Sequence, residues 1–259
     1  MENKSLGFIG AGRITRIILR AFMNLNVSFR KIVIIDTNTE VLEQLKKDFP
    51  EIISTTDDLK AVVTNDVVFI ALHPPVIMEM LEKIKGMPDK NTILVSLAPK
   101  ITVGKIIQKL SGHKKVARLI PNAPSIINEG YNPAYFSEDL SGENIHLLTD
   151  IFEKLGKCIV IEEEKLEAYA IVTAMSPTYF WFQFQELYDI GKKIGLSDVE
   201  CKRGISETIK ASLNTLFESE FSKDEVFDLI PVKPISEYEA EIIGFYQTRL
   251  LPLFDKIKP

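Results

Sequence analysis

Apolar positions follow two rhythms along this chain. Over about the first 160 residues, short β-rich runs alternate with segments of helical period. The runs Leu6–Ile9, Lys31–Ile35, Val67–Ala71, Thr92–Ser96, Val116–Leu119 and Cys158–Ile161 are near-continuously apolar. Strands covered on both faces of a parallel sheet read this way. Between them, Arg13–Asn24, Glu40–Asp48, Val76–Lys85, Val103–Leu110 and Glu143–Leu155 read as helices, the second capped by Asn38 or Thr39. Alternating β and α elements with short connections predict a doubly wound α/β domain over residues 1–161.

From Glu162 onward no convincing strand is visible, and residues 162–259 read as all-helical. Glu162–Lys193 is a long helical stretch in which Ser176-Pro177 should kink or break the helix. Gly195 reads as a stop and Ser197–Ser219 as a restart with a serine or aspartate cap. Ser222–Asp228 is a shorter helix, Pro231–Pro234 a loop, and Ser236–Leu251 the last helix. The run Tyr179-Phe180-Trp181-Phe182-Gln183-Phe184 puts aromatic side chains on every face of its helix. Such a helix must be covered on all sides. It is either the centre of a monomeric bundle or the core of a dimer. A tail of this size has few helices to do the covering, which favours a partner subunit.

Composition narrows the classes. The chain has 259 residues, 46% of them hydrophobic and 26% charged, with a net charge of −5. This is a globular balance, not a disordered one. The mild acidity and the lack of a basic run argue against nucleic-acid binding. No apolar stretch reaches the ~18 residues of a membrane span, and the start of the chain lacks a signal-peptide layout. Cys158 and Cys201 stand far apart, so neither a disulfide framework nor a cysteine zinc site is expected. A reducing cytoplasm is the default compartment.

The strongest local signal is Gly7-Phe8-Ile9-Gly10-Ala11-Gly12-Arg13-Ile14-Thr15. Gly10 and Gly12 fit the first two glycines of a GxGxx(G/A) dinucleotide fingerprint, with Thr15 at the third position. Gly10 permits the tight strand-to-helix turn, and Gly12 lets the backbone approach a pyrophosphate. The N–H groups of the following helix, from Arg13 and Ile14 on, then face the phosphates. Thr15 implies a slightly looser helix–strand contact. The second strand ends in Asp36-Thr37-Asn38, about the ~20-residue interval at which the fingerprint acid occurs. A carboxylate there accepts ribose hydroxyls and repels a 2′-phosphate, favouring NAD over NADP. Arg13 weighs the other way, because it can pair with a phosphate, including a 2′-phosphate.

The whole pattern resembles the pyrroline-5-carboxylate reductase family over about residues 5–245. The family's GFIGAG is intact as Gly7–Gly12. Its FLAVKPQ strand end stands here as Phe69-Ile70-Ala71-Leu72-His73-Pro74-Pro75. Its RxMPNTP motif is Arg118-Leu119-Ile120-Pro121-Asn122-Ala123-Pro124, followed by Glu129-Gly130. Its TAxSGSGPAY segment aligns without gaps on Ala170–Tyr179. The resemblance implies a Rossmann domain followed by a helical domain that forms an interlocked dimer. It also implies reduction of a cyclic imine by NAD(P)H, 1-pyrroline-5-carboxylate to proline.

The departures gather on one side. The family lysine of VKP is His73, and the AG after the fifth strand has become Leu97-Ala98-Pro99-Lys100. Ala174 and Met175 replace residues of SGSGP. The family's SPGGTT loop, which there holds the substrate carboxylate, reads Val232-Lys233-Pro234-Ile235-Ser236-Glu237. Pro234 removes an N–H donor, and Ile235 stands where a glycine allowed close approach. The resemblance implies that Ala71, Leu72, His73, Pro74, Leu97 and Ala98 line the cofactor and that Asn122 orients its loop. Thr173, Ser176 and Ser236 would offer hydroxyls to a small imino or oxo acid, and Lys233 a point charge for its carboxylate. His73, Ser176 and Ser236 are the candidate proton donors. For His73 the alternative is a polar filler. His113 and His146 read as solvated, Tyr131 and Tyr135 as strand packing. The run Glu162-Glu163-Glu164 reads as a helix start favoured by the dipole, without a function.

Two function classes stand. One is a reductase of a small imine or related oxo acid. The other is a catalytically silent dinucleotide-binding dimer with a regulatory or scaffold role. A β-hydroxyacid dehydrogenase needs an acid/base lysine in the first long helix of the second domain, and Leu166–Leu187 contains none.

Overall fold

The computed structural model describes residues 1–55 and 57–259. Chain order runs β1 (Ser5–Ile9), α1 (Arg13–Asn24), β2 (Lys31–Ile35), α2 (Thr39–Asp48), β3 (Ile53–Thr55), α3 (Leu59–Val63), β4 (Val67–Ile70), α4 (Pro74–Lys83), β5 (Ile93–Ser96), α5 (Val103–Lys109), β6 (Val116–Leu119), β7 (Gly130–Phe136), α6 (Gly142–Phe152) and β8 (Gly156–Val160). These strands form one sheet in the order β3-β2-β1-β4-β5-β6-β7-β8. Every neighbouring pair is parallel except β6 and β7. The order reverses beside β1, where β2 lies on one side and β4 on the other. This is the point at which doubly wound sheets bind ligands.

Alternation across the strands produces the two covered faces. Leu6, Phe8, Val67, Phe69, Ile93 and Val95 join a core with α1, α2 and α6. Ile9, Val33, Ile35, Val68, Ile70 and Leu94 join a second core with α3, α4 and α5. Phe8 and Phe69 stack across β1 and β4, with ring centroids 4.8 Å apart.

Sequence reading misses β3, α3 and β7 for identifiable reasons. β3 is a three-residue edge strand, too short to show a period. β7 carries Asn132 and Pro133 in its middle, and a proline demotes a strand reading. Asn132 is tolerated there because its Oδ1 accepts from the Asn122 N–H (3.2 Å) and the Ser125 hydroxyl (2.9 Å). Tyr131 and Tyr135 do lie in β7. Tyr131 stacks on Tyr169.

Two compact units divide after Met175, beyond the expected boundary at 161. The first comprises Met1–Met175 and Phe254–Pro259, the second Ser176–Leu253. The stretch after β8 stays with the sheet because α7 (Leu166–Tyr169) buries Leu166 and Glu167. Ile120, Leu166 and Ala170 form a small core of their own, joined by Ile257. Ala170–Ala174 is a π-helical turn, and of the two expected outcomes at Ser176-Pro177 the break occurs, with Pro177 in the first turn of a new helix.

That helix, α8 (Pro177–Lys193), opens the second unit. It is followed by α9 (Asp198–Phe217), α10 (Lys223–Asp228) and α11 (Glu239–Ile257), whose end belongs to the first unit. Ser197 with Glu200 and Ser222 with Glu225 form capping boxes. Gly195 ends α8 at φ +106°. Among the described residues of these four helices only Gly191 and Cys201 are buried. Cys201 Sγ packs where a Gly191 side chain would sit. Trp181 and Phe182 are 53% and 68% exposed. The full cover expected for the aromatic helix is therefore absent within a single chain.

Candidate functional site

The turn between β1 and α1 is built by contacts at Gly10. Its φ is +104°, a left-handed value that favours glycine. A Cβ there would lie 2.5 Å from the Ala71 carbonyl oxygen. The Gly10 N–H donates to the Ile35 carbonyl (2.8 Å), and Ala71 N–H to that of Ile9 (2.9 Å). Thr15 is fully buried, and its hydroxyl donates to the Gly10 carbonyl at 2.6 Å. The third fingerprint position thus pins the turn rather than loosening it.

Gly12 is different. It caps α1 with an ordinary φ of −71°, and a Cβ there would meet nothing within 4 Å. Neither conformation nor packing within the chain calls for glycine at this position. Open space in front of it, beside first-turn N–H groups that have no intrahelical partner, is a cradle that a Cβ would begin to fill. No acidic residue stands in the first turn of α1. The residues fit a bound diphosphate.

Asp36 closes the turn from the β2 side. Its Oδ2 accepts from the Ala11 N–H at 2.8 Å and its Oδ1 from the Asn38 N–H at 2.9 Å. A carboxylate has about four acceptor sites, so both oxygens keep capacity for hydroxyl donors. Gly10, Ile35, Asp36, Thr37, Asp57, Leu59, Leu72, Val76, Met80 and Lys83 enclose a cavity of about 290 Å³. An adjoining cavity of about 520 Å³ lies over the ends of β4 and β5. Gly12, Arg13, Ile14, Ala71, Leu72, His73, Pro74, Leu97, Ala98, Pro99 and Pro121 line it. Leu72 borders both.

These two cavities gather most of the expected cofactor residues and leave three outside. Ala11 contributes its N–H to Asp36 and is itself buried. Asn38 spends its side chain capping α2, accepting from the Val41 N–H at 3.2 Å. Asn122 accepts from the Tyr131 N–H at 3.2 Å and so ties the loop after β6 to β7. Arg13 lines the larger cavity. The cation lining the smaller one beside Asp36 is Lys83, which sequence reading did not single out.

His73 is exposed and stands as N-cap of α4, where Pro74 and Pro75 open the helix. Behind the larger cavity lies a buried ion cluster. Arg118 of β6 donates to Glu163 Oε1 at 3.1 Å, to Glu167 Oε1, and to the Ala98 carbonyl at 3.4 Å. The run Glu162–Glu164 does open a helical turn, as expected, but Glu163 is also an ion-pair partner of Arg118, while Glu162 pairs locally with Lys165 at 2.7 Å. No local signal announces the cluster, because Arg118 lies 45 and 49 residues from its two partners.

The substrate-side candidates fall in different units. Thr173 sits in the π-helical turn of the first unit and donates its hydroxyl to the Tyr169 carbonyl at 2.7 Å. Ser176, Lys233 and Ser236 belong to the second unit. Lys233 and Ser236 are exposed, and the Ser236 N–H donates to the Lys233 carbonyl at 3.2 Å. Burial pushes the Cys158 thiol up to about 11, helped by Glu153, which disfavours its thiolate form. Burial also raises the Tyr135 phenol, with Glu163, Glu138 and Glu164 adding to the effect. Among the described residues no group of three or more His, Cys, Asp or Glu can hold a metal ion, and no helix is long and apolar enough to cross a membrane.

Comparison with known proteins agrees with this geometry. The family described as NADP oxidoreductase, coenzyme F420-dependent, matches residues 5–100. The pyrroline-5-carboxylate reductase of Corynebacterium melassecola is 24% identical over 202 residues, covering 77% of this chain and 74% of that protein. Human pyrroline-5-carboxylate reductase 2 is 28% identical over 198 residues, covering 74% and 61%. Among solved structures, Plasmodium falciparum pyrroline carboxylate reductase with NADP bound superposes with a TM-score of 0.78 at 21% identity, covering 99% of this chain and 96% of that one. Prephenate dehydrogenase of Aquifex aeolicus gives 0.57 at 12%, covering 98% and 99%. The fold is a Rossmann-like N-terminal domain followed by a helical C-terminal region. The chain is similar to the pyrroline-5-carboxylate reductases at low identity.

Proposed function

We propose that this protein is an NAD(P)H-dependent reductase that transfers a hydride to the C=N bond of a small cyclic imino acid, with 1-pyrroline-5-carboxylate as the default substrate and proline as the product. The observation that carries the reading is the open cradle at Gly12, set between the Asp36 carboxylate and the first turn of α1. The bound nicotinamide supplies the hydride. The chain's own part is to hold the dinucleotide across the glycine turn and to present the substrate carbon to it, which is most of what imine reduction asks of a protein. Leu97, Ala98, Pro99 and Pro121 offer an apolar wall against which water is excluded. The proton for the imine nitrogen comes from solvent or from a hydroxyl, Ser176 and Ser236 being the candidates, or from His73. Lys233 is the candidate counter-charge for the substrate carboxylate.

NAD is the favoured cofactor. Asp36 is held by two backbone N–H groups with its charge facing the smaller cavity, and a 2′-phosphate there meets that charge. The protein works in the cytoplasm as a homodimer joined through its helical region. Support for the dimer is the near-absence of burial along α8 to α11. Light scattering reads the mass directly, and a monomer at micromolar concentration overturns the dimer.

One observation favours the silent-dimer reading. The loop at 232–236 lacks the N–H of Pro234, and the Ser236 N–H is already bonded within the loop. Calorimetric titration with NADH and NADPH, followed by steady-state oxidation with pyrroline-5-carboxylate, separates the two. Tight binding with turnover supports the reductase. Tight binding without turnover on any cyclic imino acid or 2-oxo acid supports the silent dimer, and no binding at millimolar nucleotide overturns both.

A further inference from the structure

We propose that the buried cluster of Arg118, Glu163 and Glu167 is a positioning device that fixes the loop over the nicotinamide half of the cofactor cleft. The inference rests on the dinucleotide reading above. Three backbone groups of the loop after β5 end on this cluster. The Ala98 carbonyl accepts from Arg118 (3.4 Å), the Lys100 N–H donates to Glu167 Oε1 (2.8 Å), and the Val103 N–H donates to Glu163 Oε1 (2.7 Å). A fourth tie comes from the far end of the chain, where Lys100 Nζ donates to the Lys256 carbonyl at 3.2 Å. Leu97, Ala98 and Pro99 of the same loop line the larger cavity.

Two further observations argue for positioning over stability. Arg118 and Glu167 are 0% and 1% exposed, yet Arg118 Nε and Glu167 Oε2 make no hydrogen bond. A buried ion cluster with unmatched atoms is a poor source of stability, because desolvation offsets the attraction. What it supplies is fixed geometry. Lys100 also has φ +75°, a conformation that a residue with a side chain keeps only where its surroundings over-determine it. The Glu167 bond to its N–H and the Lys256 bond to its ammonium do so.

The adenosine half of the cleft is lined by other elements, from β2, α3 and α4. ADP-ribose lacks only the nicotinamide and therefore reports the adenosine half and the diphosphate cradle without the ring that the loop after β5 would face. The test is titration of NADH and of ADP-ribose into Arg118→Lys, which keeps the charge and loses the fork, and into Glu167→Gln, which keeps the shape and loses the charge. NADH binding should weaken roughly 10-fold, and turnover fall toward the ~100-fold that a displacement of about 1 Å costs, while ADP-ribose affinity stays within twofold of the unmodified protein. Parallel loss of both ligands, no loss of either in a folded variant, or failure of both variants to fold overturns the proposal. Unmodified protein that binds neither ligand removes the reading beneath it, and that is seen before any variant is made.

Discussion

The carboxyl edge of the sheet, in the first unit, and the loop at 231–236, in the second, are built in opposite ways. At the sheet edge the turn itself is held by hydrogen bonds. Gly10, Ala11, Thr15, Asp36 and Ala71 exchange hydrogen bonds across β1, β2 and β4. In the loop every residue from Pro231 to Glu237 is exposed, and an internal bond takes the Ser236 N–H. A dinucleotide is gripped through backbone, so the requirement falls on a few glycines and one acid that cannot be exchanged freely. A small substrate is gripped by side chains and loop amides, which can be replaced one at a time.

The sharpest way to break this comparison uses the two glycines. Gly10→Ala should destabilise the protein by about 2 kcal/mol or more, because both its φ and the Ala71 carbonyl oppose a side chain. Gly12→Asp should leave the melting temperature unchanged or slightly higher, since Asp is a good N-cap. It should weaken dinucleotide binding by at least roughly 10- to 100-fold, the worth of lost hydrogen bonds to a charged group. Calorimetry and thermal melts read both. A Gly12→Asp protein that binds NADH normally would leave the glycine turn a bare structural joint.

How much of this was legible from sequence follows the same division. Regular strands and helices around the sheet were readable because burial on two faces leaves near-continuous apolar runs. β7 was hidden by Pro133, and the Arg118 cluster by distance, since its partners lie 45 and 49 residues along the chain. The glycine turn was readable because Gly10 and Asp36 are positions where backbone geometry dictates residue type. Lys83, Met80 and Val76 of the smaller cavity were not readable, because a helix face that lines a cavity looks like any amphipathic face.

Asp36 offers the next test. Asp36→Asn keeps an acceptor for the Ala11 N–H and removes the charge. NAD affinity should fall about 10-fold, in the range of a charge-assisted hydrogen bond, and NADP affinity should fall less or rise. A ratio that does not move would place the choice of cofactor on Lys83 or Arg13.

On the substrate side the effects should be smaller. Lys233→Ala and Ser236→Ala should raise KM for an imino acid a fewfold and leave NADH affinity unchanged, an exposed charge being worth about 1 kcal/mol or less. His73→Gln should lower kcat less than 10-fold if His73 is a polar filler. A loss of about 100-fold or more would make it the proton donor, since general acids contribute roughly 10²–10⁴-fold.

The smallest expected change lies at the other end of the strands and shows whether the cleft is independent of sheet stability. Burial pushes the Asp66 carboxyl up, but hydrogen bonds from the Ser5 hydroxyl and N–H, with the Lys4 and Arg30 charges, outweigh it and hold it below its ordinary value. A carboxyl depressed in the folded state stabilises the protein at pH above its unfolded value, about 4. That contribution is lost as pH falls through the lower folded value, where the carboxyl takes up its proton. Ser5→Ala removes the hydroxyl donor and should cost about 1 kcal/mol at pH 7, with the difference from the unmodified protein narrowing below pH 4. Dinucleotide affinity should not change, because Ser5 opens β1 and the glycine turn closes it. If affinity falls with stability in this variant, the effects at Gly12 and Asp36 can no longer be read as contacts with the cofactor, and the contrast between the sheet edge and the loop becomes one of local stability alone.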